Sequence, residues 1–392
     1  MTKIILRRGH AKPIWFGHPW VYSDAIATVE GEVEPGQVVE VRDHENRYIG
    51  RGLINPRSQI RVRLLTRRDE AVDAALIERR ITAAVQLRQR VGLPGEGTDA
   101  FRVVNSEGDG LPGLTIDAYG DALAVQLSSL GMFQREAIIL DALEKVLKPR
   151  TIFEVSPGGF AALEGFAVAP RVVRGEHRET VTCRENGLTL EVAPLSGQKT
   201  GLFVDQRENR RRLGELCQGA KVLDCYTYAG GFGLMALKGG AAAVTAVDVS
   251  PRALERAEAN AALNRLGPLT TVEADVFRFL EGAKPRAYDV CVVDPPKFAR
   301  ARKDLEPALK GYRRLNALAL GVIADGGLLM TCSCSQHVGE SDFERMLAGA
   351  AQDAHRRVQV LEIRSMGADH PLPPAFPEGR YLKCVLVRVG DE

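Results

Sequence analysis

Two cysteines separated by one residue, Cys332 and Cys334, close the apolar run in Leu328-Leu-Met-Thr-Cys-Ser-Cys-Ser-Gln-His337. A cysteine thiolate is an effective nucleophile, and one at the carboxyl end of a strand can reach a bound ligand. Residues two apart on a strand share a face, so both thiols are expected on one side, with Cys334 nearer the strand's end. Cys217, Cys225 and Cys291 read as small buried hydrophobes, the default for any one cysteine. A zinc site from Cys332, Cys334 and His337 would need a further pair with ligand spacing; the sequence has none, so no metal is expected. A second reactive candidate is Asp294 in Val292-Val-Asp-Pro-Pro-Lys297, where two prolines stiffen the turn and remove backbone donors. Its carboxylate is placed to accept from a nucleobase and to stabilise charge developing on it.

Three more acids mark where a ligand would sit. Asp224 opens Asp224-Cys-Tyr-Thr-Tyr-Ala-Gly-Gly-Phe-Gly233, Asp248 ends Ala246-Val-Asp-Val-Ser250, and Asp275 lies in Glu273-Ala-Asp-Val276. Ala229, Gly230, Gly231 and Gly233 let the backbone come close to a ligand, and an acid ending the second strand can accept from both ribose hydroxyls. Tyr228, Val249, Ser250 and Val276 flank the same corner. The pattern departs from Gly-x-Gly-x-x-Gly, and Asp224 stands where a pyrophosphate would otherwise meet a helix N-terminus. A carboxylate there repels phosphate and suits a sulfonium-bearing amino acid, with Asp275 placed to accept from an adenine amine. The expected cofactor is S-adenosyl-L-methionine rather than a nicotinamide dinucleotide.

These residues need a scaffold that brings strand ends together. From Lys221 onward, strands around 222–224, 244–248, 271–274, 290–294 and 328–332 alternate with helices around 234–237, 253–264, 305–323 and 342–350. Such alternation predicts a doubly wound, mainly parallel sheet, with Val358–Ile363 and Lys383–Val389 as closing strands. Short alternating strands between Gly36 and Leu65, broken at Asp43, Asn46 and Asn55-Pro56, predict a small barrel. Between them, a helical period over 74–91, strands near 114–116, 123–125 and 151–155, and a helix near 133–147 predict an α+β block. The Gly-rich stretch Asn105–Gly113 lacks the Lys-Ser/Thr of a phosphate loop and reads as turns. The expected fold class is multidomain α/β, with domains at 1–70, 71–188 and 189–392.

A 392-residue chain with 45% apolar and 26% charged residues is too long for one ordinary core and too apolar for disorder. Ile4-Ile5-Leu6 followed by Arg7-Arg8 is too short for a secretory core or a membrane span, so a cytoplasmic protein with no membrane partner is expected. Seven cysteines without a Cys-x-x-Cys pair point to reduced thiols. Residues 1–68 hold twelve Lys/Arg against seven Asp/Glu, so this local excess of five exceeds the whole chain's +2. A basic barrel beside a near-neutral remainder suits a nucleic-acid-binding appendage, or simply a solvated face. Trp15, Trp20 and Tyr22 beside His10, Lys12 and His18 can contact bases or pack the barrel.

In His18-Pro-Trp-Val-Tyr22, Glu107-Gly-Asp-Gly-Leu-Pro-Gly-Leu114, Gly197-Gln-Lys-Thr-Gly201, Phe203-Val-Asp-Gln-Arg-Glu-Asn209, Asp294-Pro-Pro-Lys-Phe298 and Ser333-Cys-Ser335, the sequence resembles the PUA-domain-containing large-subunit ribosomal RNA cytosine-C5 methyltransferases. The likeness keeps this order from about Arg7 to the C-terminus. It implies an RNA-binding PUA-like barrel, a class I S-adenosylmethionine-dependent domain, and contacts to the methyl donor from Phe203 and Gln206; from the residues alone, Phe203 and Val204 read equally well as core.

It also implies 5-methylcytosine formation in large-subunit ribosomal RNA. Carbon 5 of cytosine is a poor nucleophile until a thiolate adds at carbon 6. The resemblance assigns that thiolate to Cys334, with Cys332 as support. The base must be unpaired or flipped out for its faces to be reached. Asp-Pro-Pro equally resembles the site of amino-group methyltransferases, which need no cysteine, and an inactive RNA-binding protein is the third reading. A homodimer is expected on analogy alone.

Overall fold

A computed structural model of the chain describes residues 1–197, 200–299 and 301–391. Its contacts divide it into two compact units, each assembled from separate stretches: Met1–Arg184, Val192–Val204 and Ala368–Gly379 form the first, and Glu185–Glu191, Asp205–Gly367 and Arg380–Glu392 the second.

In the first unit, β1 (Lys3–Leu6), α1 (Ala11–Trp15), β2 (Trp20–Tyr22), β3 (Ile26–Glu30), β4 (Val38–Arg42), β5 (Tyr48–Ile54) and β6 (Ile60–Thr66) build a six-stranded sheet of order β2-β6-β5-β4-β1-β3. Alternation decides its faces. In β4, Val39 and Val41 are fully buried with Ile4, Leu6, Val21 and Val62, while their neighbours stay partly exposed. A side chain at Gly50 or Gly52 of β5 would collide with the backbone of β6, so glycine sets how closely these strands pair.

The same unit holds α2 (Ala74–Arg90), β7 (Ala100–Asn105), β8 (Leu114–Tyr119), β9 (Ala122–Leu127), α3 (Leu130–Phe133), α4 (Glu136–Leu147), β10 (Thr151–Glu154), α5 (Gly158–Glu164) and β11 (Arg171–Gly175). Its five strands run in the order β11-β10-β9-β8-β7. Asp73 caps α2 by accepting from the Leu76 amide at 3.0 Å. Leu76, Ile77, Ile81 and Ala84 bury one face of α2, and the fourth turn buries Arg88 against Asp109 at 2.6 Å. The Gly-rich stretch read as turns contains a short 3-10 helix, Ser106–Asp109, and Asp109 also accepts from the Asn105 amide. A hairpin of β12 (Val181–Glu185) and β13 (Leu188–Val192) follows, spanning the expected boundary at 188–189.

The second unit contains α6 (Arg207–Gly214), β14 (Lys221–Cys225), α7 (Gly231–Lys238), β15 (Ala243–Asp248), α8 (Pro251–Leu263), β16 (Leu269–Glu273), α9 (Val276–Gly282), β17 (Tyr288–Val293), α10 (Leu305–Val322), β18 (Ile323–Ser333), α11 (Glu340–Asp353), β19 (Arg357–Arg364) and β20 (Lys383–Gly390). Its seven-stranded sheet has the order β16-β15-β14-β17-β18-β20-β19. The first five strands are parallel, while β20 runs antiparallel to both β18 and β19. Val222, Leu223, Val290, Cys291, Val292 and Val293 are all buried, as strands covered on both faces require. Strand order reverses beside β14, which puts a crevice at the carboxyl ends of β14 and its neighbours.

Candidate active site

The corner after β14 is tightly wound. Tyr226, Tyr228 and Gly230 have φ of 62°, 51° and 82° before α7 begins at Gly231. A left-handed conformation costs a non-glycine residue about 1–2 kcal/mol, and such strain gathers where geometry serves a ligand. Asp224, buried beneath this loop, accepts from the Thr227 hydroxyl at 2.6 Å and the Gly233 amide at 2.8 Å. Burial pushes its carboxyl up to about 7, against the pull of those two bonds. Gly233 must lack a side chain, because a Cβ there would lie 3.1 Å from the Asp224 carboxylate and 2.9 Å from Val244.

Parallel register sets the next two acids beside this loop. Asp248, ending β15, accepts from the Tyr228 amide at 2.9 Å and the Ser250 amide at 3.0 Å, so one carboxylate fixes two turns. Val249 beside it is 63% exposed, an apolar side chain left open at the corner. Asp275, exposed after β16, caps α9 by accepting from the Arg278 amide at 3.1 Å, while Val276 is buried. Ala229 and Gly230 are buried, and the Ala229 carbonyl accepts from Asn260 at 3.4 Å. Backbone without Cβ atoms, carboxylates at successive strand ends and one open apolar side chain fit a nucleoside carrying a cationic tail.

Asp294 follows β17 and is partly exposed; Gln206 donates to its carboxylate at 3.0 Å. Asn209 holds Gln206 by donating to its side-chain carbonyl at 2.7 Å, and Arg364 donates to Asn209 at 3.0 Å. Gln206 and Asp294, 88 residues apart, thus meet as one group. Phe203 belongs to the first unit and is partly buried. Gln198 and Lys199, inside the Gly197–Gly201 motif, lie outside the described residues; Thr200 donates to Asp117 at 2.7 Å.

Cys334 lies one residue past β18, at the same end of the sheet as Asp294. Among the seven cysteines it alone is not buried. Cys332 is fully buried and faces Cys384 in register across β20. Hydrogen bonding with Cys384, together with burial, holds the Cys332 thiol well above its ordinary value, so it is a poor nucleophile. Among the described residues, no group of three or more His, Cys, Asp or Glu side chains is arranged to hold a metal ion.

Sequence reasoning missed the frame around Cys334. Ser333 donates to the Tyr312 hydroxyl at 3.0 Å, and that hydroxyl meets the Ser335 hydroxyl at 3.0 Å. Both serines therefore hang on one buried tyrosine of α10, which fixes the backbone on either side of the thiol. Lys383, opening β20, is buried and donates from Nζ to the carbonyls of Ser335 at 2.6 Å and Tyr381 at 2.7 Å. Burial pushes its ammonium down to about 8, and the neighbouring Cys334 pulls the other way. A distant tyrosine and a lysine inside an apolar closing strand carried no pattern to mark them. Phe298, which closes the Asp294–Phe298 motif, packs its ring 4.5 Å from that of Tyr312.

Family models match both ends of this arrangement: a PUA-like domain over residues 4–67 and an S-adenosylmethionine-dependent methyltransferase over 166–378. Proteins named ribosomal RNA large subunit methyltransferase I are similar over nearly the whole length. The one from Aeromonas salmonicida is 40% identical, covering 98% of each chain, and that from Photobacterium profundum is 40% identical, covering 97% of this chain and 98% of its own. The chain belongs to the ribosomal RNA large subunit methyltransferase I family. A solved methyltransferase structure from Streptococcus mutans shares the fold at a TM-score of 0.85 and 22% identity, covering 99% of this chain and all of its own. A structure of equal similarity is described as complexed with SAH. As a member of this methyltransferase family, the chain uses S-adenosyl-L-methionine.

Proposed function

We propose that the protein forms 5-methylcytosine in large-subunit ribosomal RNA through a covalent adduct at Cys334. The observation that carries this reading is the exposure of Cys334 alone among seven cysteines, at the strand end beside Asp294. S-adenosyl-L-methionine supplies an electrophilic methyl group. The Cys334 thiolate adds to carbon 6, which makes carbon 5 nucleophilic; carbon 5 takes the methyl as the sulfonium leaves as a neutral thioether, and a base then takes the carbon-5 proton as the carbon–sulfur bond breaks to free the thiolate. Asp294, oriented by Gln206, binds the cytosine's N3 and amine edge. The donor is held by Tyr228, Ala229, Gly230, Gly231, Asp248, Val249, Ser250, Asp275 and Val276, with Gln206 and Asp294 completing the set, Phe203 contributing as the family resemblance implies, and Asp224 bracing the corner.

In this reading, residues 1–70 bind RNA, 71–188 form a central α+β domain, and 189–392 carry the chemistry in the cytoplasm. Amino-group methylation is the second reading, favoured by the Gln206–Asp294 bond, since an oriented Asp-Pro-Pro acid could accept from an amine without any thiol. Incubation with methyl-labelled donor and unmodified large-subunit RNA, followed by digestion to nucleosides, separates them. Label in 5-methylcytidine, abolished in Cys334→Ala, is expected. Label in an amino-methylated purine that survives Cys334→Ala would replace the first reading with the second.

A further inference from the structure

The first unit holds a cavity of about 530 Å³ whose lining includes Arg67, Arg68, Arg79 and Arg80. Of these, Arg79 is paired with a carboxylate, that of Glu70, at 2.7 Å. Arg67 donates to the His18 carbonyl at 3.2 Å, and Arg80 to the carbonyls of Leu65 at 2.6 Å and Gly110 at 3.4 Å. Neither of these two has a carboxylate within ion-pair distance among the described residues, nor has Arg68. Backbone bonds orient the Arg67 and Arg80 guanidinium groups, and the lining stays positive, with four arginines against Glu70 and Glu107.

The Gly-rich stretch that read only as turns builds the opposite wall. Gly110 and Pro112 line the cavity, and a side chain at Gly110 would collide with the Arg80 guanidinium. The buried Arg88–Asp109 pair fixes this turn from behind, and Glu107, also in the lining, is occupied by the Trp20 indole N–H at 2.8 Å. Phe16, immediately before the lining residue Gly17, is 72% exposed, and Trp15 is 46% exposed. A concave site with a surplus of arginines, two of them oriented by backbone carbonyls, matches a phosphodiester, and open aromatic rings at Trp15 and Phe16 match an unstacked base.

We propose that this cavity, formed by the end of β6, the first turns of α2 and the Glu107–Pro112 turn, binds a backbone phosphate of single-stranded RNA. The proposal rests on the reading of the substrate as RNA, but neither the donor nor Cys334 takes part in it. Arg67→Ala combined with Arg68→Ala tests it, because both side chains are exposed and neither braces the turn. The control removes two exposed cations elsewhere, Arg90→Ala with Lys284→Ala.

The readout is binding of a fluorescent single-stranded RNA to full-length protein, measured across a salt series. The cavity variant is expected to bind about tenfold more weakly, with a salt slope shallower by about 0.7 for the one lost phosphate contact, while the control stays near wild type and both variants retain the thermal shift given by S-adenosylmethionine. Equal losses in both variants would assign binding to overall charge, and no loss in either would leave the cavity without RNA; either result overturns the proposal. So would a cavity variant that loses protection by inorganic phosphate yet binds RNA normally, since the site would then take a free anion. Failure to form 5-methylcytidine with RNA binding intact would remove the proposed chemistry and leave this site standing.

Discussion

Lys383 gives Cys334 a property that its own position in the sequence does not reveal. Its ammonium is held on the carbonyl of the residue following the thiol, and the charged groups it senses are Cys334, Glu340 and Lys297. A nearby cation stabilises a thiolate. Because the ammonium titrates near 8, that support is present below about pH 8 and is lost as pH rises through it. Lys383→Met is therefore expected to slow alkylation of Cys334 by iodoacetamide roughly tenfold at pH 7 and to leave it unchanged above pH 9. Equal rates at pH 7 would remove the lysine from the site's electrostatics. The sequence made Cys334 and Asp294 visible because each ends an apolar strand with a polar residue. Lys383 and Tyr312 were invisible because their roles depend on which strand and helix come to lie beside β18.

The glycine corner shows the same division at the level of the element. The acids ending β14, β15 and β16 were legible from the apolar runs before them. The work of Asp224 was not: its carboxylate is occupied by Thr227 and Gly233, making it a brace within the loop. Its folded value of about 7 lies above its ordinary 3.8, so its contribution to stability is full below 3.8 and declines as pH rises to about 7. That interval corresponds to roughly 4 kcal/mol for a fully buried acid. Asp224→Asn, which cannot ionise, is expected to flatten the fall in melting temperature over that pH range by several degrees. It should also weaken the thermal shift given by S-adenosylmethionine, because the loop loses its charged acceptor. A variant whose melting temperature follows the wild-type pH profile would refute the assignment.

For the whole molecule, alternation and periodicity located most strands and helices of the second unit, because strands buried on both faces are written as continuous apolar runs. The short strands β1, β2, β3, β12 and β13 left weaker traces, and the joining of distant stretches into one unit left none. Glu185 illustrates this. It lies in the hairpin yet forms a buried pair with Arg210, at 2.5 Å, within the second unit. Removing one partner of such a pair leaves a buried charge and costs about 3–5 kcal/mol. Glu185→Ala is expected to lower the melting temperature by several degrees, whereas replacing the exposed Glu176 should change it little.

The stretch Ala368–Gly379, assigned by its contacts to the first unit, sets a timetable for synthesis. His18 meets Glu378 at 3.2 Å, Trp20 packs edge-on against Phe376 with ring centres 4.7 Å apart, and the buried Arg88 donates to the Asp369 carbonyl at 2.7 Å. Domains ordinarily fold from the N-terminus as they leave the ribosome. Here the oldest part of the nascent chain must wait for almost the youngest, so the barrel emerges early with an apolar face around Trp20 still uncovered. A protein that modifies ribosomal RNA thus completes its own first unit only after about residue 379 has left the ribosome.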